Sequence, residues 1–544
     1  MAENTETEKK TNTSPAKKKR MSFALSAVIV GIGLIFTKGS GLIRDVLVSV
    51  RFSEDIYRDA YMLAFNVPDL FYNLLVGGAI YSTIAPYMSA QLSVGKEREG
   101  ARTVSKFITL VTLVMVVVCT FGTIFSVPLY NLYAVFQDVK NPETVYLAAR
   151  ASKVLFPQVF FIMLAALCNG ILISYRRFTI TSFAPVLYNI LVIISVLLLG
   201  GNTLFNLTLT MGGLLVAALL NFLFQYTLGF KQLKQFRLNF HFADKEFLHL
   251  FFRAIPILIS ASVVQINAIV LNSFALQFDE GSVYLFRNAS TIWQIPYSIF
   301  VVAVTTVMTP ELSGDYKNKN FNKASELVSH SMRSSLFMTI PSAAFIAVMN
   351  VDVVKAVYQW HPYYTNENAA TAAVFLLGFC SSIITATVVH VFNQAFYAIG
   401  KTKLPLFAGI IGLVVNPVIC KLLITLGGGL LSLSLAYSVT SVIQMVMLSV
   451  MYCSQKQLAP HGIIRFLVKA GLCAVVMAVI VYLLDRFVPA YGGKIMQLCI
   501  ISVKGIVAVA VYFVMAALLR MEEATEWINK FKNKIRSKLA AKKA

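Results

Sequence analysis

Three cations sit inside long apolar runs, where an ionised group costs several kcal/mol unless it faces protein or water. Lys38 and Arg44 lie in the run Lys38-Gly39-Ser40-Gly41-Leu42-Ile43-Arg44-Asp45. At about 100° per residue, Lys38 and Asp45 share a helix face, and Arg44 points roughly 100–120° away. The glycines allow a bend or a close backbone approach. Arg44 and Asp45 alone could mark a membrane interface; Lys38, near mid-membrane, fits that reading poorly. Further along, Arg287, Thr291 and Gln294 share a face at i, i+4 and i+7. Between these runs, Asp59, Asn66, Asp69, Asn73 and Gly77 fall within an arc of about 80° on a helix. Pro68 sits among them and should kink that helix. Such a stripe lines a cavity or forms a hydrogen-bonded helix seam; the first reading is the expectation here. Cations around one cavity suit an anionic substrate, above all a phosphate or diphosphate, which Arg grips with two parallel bonds. Asp45 and Asp69 would hold the cations while the site is empty.

Other chemistry is sparse. His330, His390 and Lys421 stand singly and read as structural. The seven cysteines fall in or at the ends of apolar runs without CxxC spacing, which argues against a disulfide framework or a zinc site. No HExxH, Walker A or nucleophile-elbow motif occurs. The connection 351–366 holds only Asp352, with Glu367 just beyond it, so it offers no evident metal site. No cofactor, no metal and no enzymatic activity are expected.

The elements that must position these residues are membrane helices. Of 544 residues, 57% are apolar and only 13% charged, against about 25% charged in soluble domains. That excludes a soluble enzyme, a disordered chain and a coiled coil. The apolar residues come in long runs rather than in alternation, which disfavours a β-barrel. The expected fold is an all-α polytopic membrane protein of 14 transmembrane helices, over 22–50, 59–91, 104–131, 147–174, 179–200, 206–231, 247–278, 282–312, 325–350, 367–398, 403–426, 429–453, 463–486 and 496–520. Residues 1–21 read as a disordered basic tail and not as a signal peptide, and 521–544 as a second basic tail. The net charge of +22 is explained by Lys and Arg collected in cytoplasmic connections, not by nucleic acid. With both termini cytoplasmic, one side carries Lys96, Arg98, Arg102, Arg176, Arg177, Lys231, Lys234, Arg237, Lys317, Lys401, Lys403 and Lys456. The other side is poorer in cations and holds Glu54, Asp55, Asp279 and Glu280.

The halves repeat. Arg177-Phe178-Thr179 opening the fifth segment resembles Lys401-Thr402-Lys403 opening the eleventh, Pro68 matches Pro296, and Gln225 matches Gln444, each roughly 220 residues apart. The repeat is parallel. It divides the chain into two pseudo-equivalent six-helix bundles, 22–231 and 246–455, and two extra C-terminal helices over 462–520. Two bundles facing across a cleft is a transporter architecture, working by rocking of the halves.

The residues also resemble a known family. Gly41-Leu42-Ile43-Arg44-Asp45, Asp59-Ala60-Tyr61, Phe65-Asn66-Val67-Pro68-Asp69-Leu70, and Arg177-Phe178-Thr179 with Phe183-Ala184-Pro185 are similar to the lipid II flippase MurJ family of the multidrug/oligosaccharidyl-lipid/polysaccharide exporter superfamily. The resemblance implies movement of an undecaprenyl-diphosphate-linked peptidoglycan precursor from inner to outer leaflet of the bacterial cytoplasmic membrane, through a cationic cavity between two lobes. It also implies a lipid-tail groove on the two extra helices and contact with membrane lipids and cell-wall synthesis machinery. The family's cavity arginines fall on Lys38 and Arg44, its Arg-Asp pair on Arg44 and Asp45, and a further acid on Asp59. There are departures: Lys38 lacks the planar fork, Asp69 replaces an asparagine, and Gly77 replaces a glutamate. Thr291 takes an arginine's place, with Arg287 one turn earlier on the same face, and Gln294 takes that of a glutamate. Relatives that hold sodium do so with carboxylates; Asn267, Asn416 and Cys420 lie in that area and no acid is evident. The expected substrate-binding set is Lys38, Arg44, Asp45, Asp59, Asp69, Asn73, Arg287, Thr291 and Gln294. The rival expectations are a flippase for another polyprenyl-diphosphate-linked glycan, such as a teichoic, capsular or O-antigen-type precursor, or a drug/cation antiporter of the same superfamily.

Overall fold

Lipid offers backbone groups no hydrogen bonds, so a chain of this composition must satisfy them within helices. The computed structural model describes residues 23–74, 84–135, 139–455, 459–489 and 493–525, and contains no strand among them. The first tail, Gly77, Lys456 and most of the second tail lie outside the described residues.

The first expected segment is one helix, α1 (Phe23–Arg51). The second is interrupted: α2 (Asp55–Leu63), α3 (Asn66–Tyr72) and, past 75–83, α4 (Ala85–Ser93). There follow α5 (Glu97–Ile124), α6 (Ser126–Ala134), α7 (Pro142–Ser174), α8 (Phe178–Leu199), α9 (Leu204–Leu228) and the short α10 (Phe230–Leu233). The second half opens with α11 (Lys245–Ala275) and α12 (Ser282–Pro296). A π-helical turn, Tyr297–Val301, joins α12 to α13 (Val302–Lys317). Then come α14 (Phe321–Val348), α15 (Asn350–Tyr358), α16 (Asn366–Ala398), α17 (Lys403–Thr425), α18 (Leu431–Cys453), α19 (Ile463–Phe487) and α20 (Lys494–Leu518). Among the described residues, 11 helices are long and apolar enough to cross a membrane, and the remaining expected segments fall on α1, on the interrupted second segment and on α11. The chain is a multi-pass all-α membrane protein. Side-chain caps fix several helix starts: Asn141 accepts from Glu143 N, Thr203 from Asn206 N, Asp244 from Glu246 N and Thr365 from Asn368 N.

Pro68 explains the break after α2. It has no N–H for the carbonyl of Ala64, four residues earlier, and the helix lapses at Ala64 and Phe65. The Tyr130 hydroxyl lies 2.8 Å from both the Leu63 and Ala64 carbonyls and supplies the missing donor. Pro296, its counterpart in the repeat, ends α12 at the π-helical turn.

Packing recurs between the halves. α7 lies along α9 as α16 lies along α18, and α1 on α8 as α11 on α17. The pairs α8 with α9, α5 with α7 and α2 with α7 recur as α17 with α18, α14 with α16 and α12 with α16. Small residues let these helices close up: a Cβ on Gly213 would meet Ser195 Oγ at 1.9 Å, and one on Gly378 would meet Ser434 Oγ at 2.1 Å. α19 and α20 pack on each other and on α14.

Helix direction alternates, so connections 175–177 and 399–402 share one end, called here the basic end. Loops 52–54 and 279–281 lie at the opposite end.

Candidate functional site

One wall of the site is built by α1 and α8. Gly33 allows their contact, because a Cβ there would meet Ser182 Cβ at 2.6 Å. Further along, Asn189 of α8 braces α1. Its Nδ2 donates to Thr37 O and to Ser40 Oγ, each at 3.1 Å. Its Oδ1 accepts from Arg44 Nη1 at 3.4 Å. Arg44 also places Nε and Nη2 on Asp45 Oδ1, at 2.9 and 2.8 Å. Held on two sides, the half-buried guanidinium has fixed direction and spare N–H groups. Lys38, two turns away, is exposed and has no hydrogen bond or ion pair among the described residues.

The facing wall includes α12. Arg287 is exposed there and its guanidinium is likewise without a hydrogen bond or ion pair among the described residues. Thr291 Oγ1 donates to Arg287 O at 3.0 Å, and Gln294 Nε2 to Ser290 Oγ at 3.0 Å. The start of α12 is anchored from the other half. Asp59 accepts from Gly281 N and Tyr284 N, both at 2.8 Å, and so caps the helix. Gly281 has φ 88°, a left-handed turn suited to glycine.

Between the walls lies a chamber of about 830 Å³ lined by Lys38, Arg44, Asp45, Arg287, Thr291 and Gln294 together. It reaches Pro405 and Leu406 in the first turn of α17, toward the basic end. Lys38, Arg44 and Arg287 against Asp45 leave the lining net cationic. The side formed by α11, α16 and α18 is polar without charge, bearing Gln265, Asn267, Asn393, Gln394 and Gln444. Tyr297 Oη sits 2.8 Å from His390 Nδ1. Trp293 stacks on Phe379 at 5.7 Å between ring centres and lies 5.5 Å from Tyr437. Asn416 Nδ2 donates to Asn267 Oδ1 at 2.7 Å, so these amides bind one another. Among the described residues no group of His, Cys, Asp or Glu is arranged to hold a metal.

The stripe of the second segment behaves differently from the expectation. Asp59, Asp69 and Asn73 are absent from the chamber wall. Asp59 is buried against the start of α12. Asn66 joins a seam: it donates to Tyr133 Oη at 3.1 Å and accepts from Asn272 Nδ2 at 3.3 Å, while Tyr133 donates to Ile269 O. Asn73 Nδ2 turns back to Asp69 O at 2.8 Å. Asp69 is half-buried and close enough to Arg287 and Arg44 to interact with both charges. The physical reason is tertiary: Asp59 and Asn66 are spent on α12 and α11, and Asn73 on its own helix. The amide wall was missed. Its signal was His390, Asn393 and Gln394 at i, i+3 and i+4 within one apolar segment.

A family model described as "Lipid II flippase MurJ" matches residues 48–503. The "Probable lipid II flippase MurJ" of Rickettsia prowazekii (strain Madrid E) is 26% identical over 511 residues, covering 92% of this chain and 98% of that protein. The protein so described in Rhizobium tropici is 26% identical over 515 residues, covering 92% and 95%. A solved structure described as "Lipid II flippase MurJ, inward closed conformation" superposes with TM-score 0.73 at 23% identity, covering 90% of this chain and 98% of the other. An inward-facing multidrug MATE transporter of the MOP superfamily superposes with TM-score 0.64 at 18% identity, covering 79% and 99%.

Proposed function

The chain belongs to the lipid II flippase MurJ family, and we propose that it carries undecaprenyl-diphosphate-linked peptidoglycan precursor from the inner to the outer leaflet of the bacterial cytoplasmic membrane. One observation carries the reading: Lys38 and Arg44 from one half and Arg287 from the other line a single chamber. Two of the three have no protein partner among the described residues, so their charge is available to a ligand. A diphosphate supplies the missing anion. Between protein walls its attraction to three cations is stronger than in bulk water. The amide and aromatic side suits the uncharged, hydroxyl-rich part of a glycan head group. No bond is broken; the work is done by binding.

In this reading 22–231 and 246–455 are two pseudo-equivalent lobes, supported by the recurrent helix pairings. The basic end is cytoplasmic, supported by its excess of Lys and Arg. The chamber then extends toward the cytoplasm, and the opposite end is held shut. There Arg58 donates to Tyr363 O at 3.3 Å, Tyr284 Oη donates to Asp45 O at 2.9 Å, and Lys140 pairs with Asp279. Substrate entering from the inner leaflet would cancel the repulsion between the cations of the two lobes. That favours their closing on it and reopening outward. The polyprenyl tail stays in lipid beside α19 and α20.

The test is complementation of a conditional MurJ-depleted bacterium, scored by lipid II reaching the outer leaflet. The chain should restore it, and Arg44→Ala and Arg287→Ala should each abolish the rescue. Normal flipping by both variants would refute the mechanism. Failure of the unaltered chain, with rescue of a teichoic or capsular flippase defect instead, would move the substrate to another polyprenyl-linked glycan.

A further inference from the structure

A second cationic cavity lies at the basic end and shares no lining residue with the chamber. It measures about 240 Å³ and is lined by Arg98, Arg102 and Ser105 of α5 and by Gln235, Arg237 and Asn239 of the connection leading to α11. Arg98 and Arg102 are one turn apart and share a face. The connection is strapped along α5. Arg237 N donates to Ser105 Oγ at 3.3 Å, Asn239 N to Thr109 Oγ1 at 2.8 Å, and Gln235 Nε2 to Glu97 Oε1 at 3.1 Å. Lys106 closes the strap on Asp244 at 2.6 Å. The cavity is therefore a built feature with a fixed backbone.

None of its three arginines forms an ion pair with a carboxylate among the described residues. Each neighbouring carboxylate is engaged elsewhere: Glu97 with Tyr175, Glu99 with Lys96, Asp244 with Lys106, and Glu246 with Tyr87 and Thr103. The Lys106 ammonium holds the Asp244 carboxyl below its usual range. The side chains of Arg98, Arg102 and Arg237 have no hydrogen bond or ion pair among the described residues, and all three are exposed. Next to Arg237 in the same connection, large apolar side chains stand in the open: Leu238 is 65% exposed and Phe240 62%. Guanidinium groups next to uncovered apolar side chains at a helix end match a lipid, with its phosphate in the cavity and its chains against Leu238 and Phe240. A soluble phosphate would leave the apolar neighbours unused.

We propose that Arg98, Arg102 and Arg237 form a binding site for the phosphate head group of an anionic glycerophospholipid in the leaflet at the basic end. Only the naming of that leaflet as cytoplasmic rests on the proposed orientation; the site is independent of the transported substrate.

The test is native mass spectrometry of the purified full-length protein titrated with phosphatidylglycerol, phosphatidylcholine or inorganic phosphate. Phosphatidylglycerol should bind saturably and phosphatidylcholine should not. The pair Arg102→Gln with Arg237→Gln should weaken phosphatidylglycerol binding by about tenfold or more. Leu238→Ser with Phe240→Ser should weaken it too, and millimolar inorganic phosphate should not displace it. Lys401→Gln with Lys403→Gln, at the same end but outside the cavity, should leave it unchanged. The titration is repeated in Arg44→Ala protein, so that the loss is not read from the chamber. Wild-type binding by the arginine variant, equal binding of phosphatidylcholine, or an equal loss in the Lys401 and Lys403 variant would overturn the proposal. Displacement by inorganic phosphate would reassign the cavity to a free anion.

Discussion

Lys38, Arg44 and Arg287 differ in how they are held, and the difference predicts how each tolerates change. Arg44 is clamped by Asp45 on one side and Asn189 on the other, so its planar head is directed. Arg44→Lys keeps the charge and loses that geometry. A charge-assisted hydrogen bond contributes about 1.5–3 kcal/mol, so Arg44→Lys should lower flipping in proteoliposomes by roughly tenfold or more, and Arg44→Ala further. Lys38 has no clamp among the described residues, and Lys38→Arg should retain activity while Lys38→Ala loses it. A Lys38→Ala protein that flips at the normal rate would remove that residue from the substrate path. These cations were legible in the sequence because a charge at bilayer depth stands out against apolar neighbours. The amides Asn393, Gln394 and Gln444 were not, since an uncharged polar residue is common at helix contacts and gives no comparable signal. Asp59 was misassigned for a different reason. Its carboxylate serves backbone N–H groups of a helix more than 200 residues away in sequence, and no local pattern encodes that.

At the scale of elements, apolar run length pointed to the 11 helices long and apolar enough to cross a membrane among the described residues, but not to the irregular stretches within the expected segments. The break between α2 and α3 was half legible: Pro68 announced a kink, while its repair by Tyr130 depends on a tertiary contact. The two are linked energetically. Tyr130→Phe leaves the carbonyls of Leu63 and Ala64 buried without that donor, at a cost of roughly 1–3 kcal/mol. The thermal midpoint in nanodiscs should fall accordingly. In a Pro68→Ala background, residue 68 regains an N–H for Ala64, and the same tyrosine substitution should cost clearly less. Equal costs in both backgrounds would separate the hydroxyl from the proline. α15 (Asn350–Tyr358) is another element that run length concealed, because all of it after Asn350 lies in the expected connection 351–366. It packs against α16, α20 and α1, and so braces the end that is held shut.

At the scale of the whole molecule, that closed end is what alternating access must open. Its ties cross the halves in several places. Asp59 caps α12, Arg58 lies 5.9 Å over the Tyr284 ring while bonding Tyr363 O, and Lys140 and Asn141 meet Asp279 and Glu280. Arg58 is 2% exposed, and its other donors go to Phe52 O, Ser53 O and the Asp55 carboxylate, at 2.9, 2.7 and 2.9 Å. The ties of Arg58 and Asp59 are a dry polar latch, whereas Lys140 and Asp279 form an exposed pair at its rim, and opening the latch requires the buried groups to find water together. Joining the two sides covalently should therefore stop transport without touching the chamber. With the exposed Cys453 and Cys499 replaced, Lys140→Cys with Asp279→Cys can be bridged by a short cleavable thiol reagent. The bridged protein should flip substrate only at background rate, and cleavage of the bridge should restore it. Adding Asp59→Ala removes the cap on α12 and should shift the population toward the open end, seen as a lower bridging yield before any loss of fold. Full transport while the bridge is intact would mean that the halves do not separate at this end.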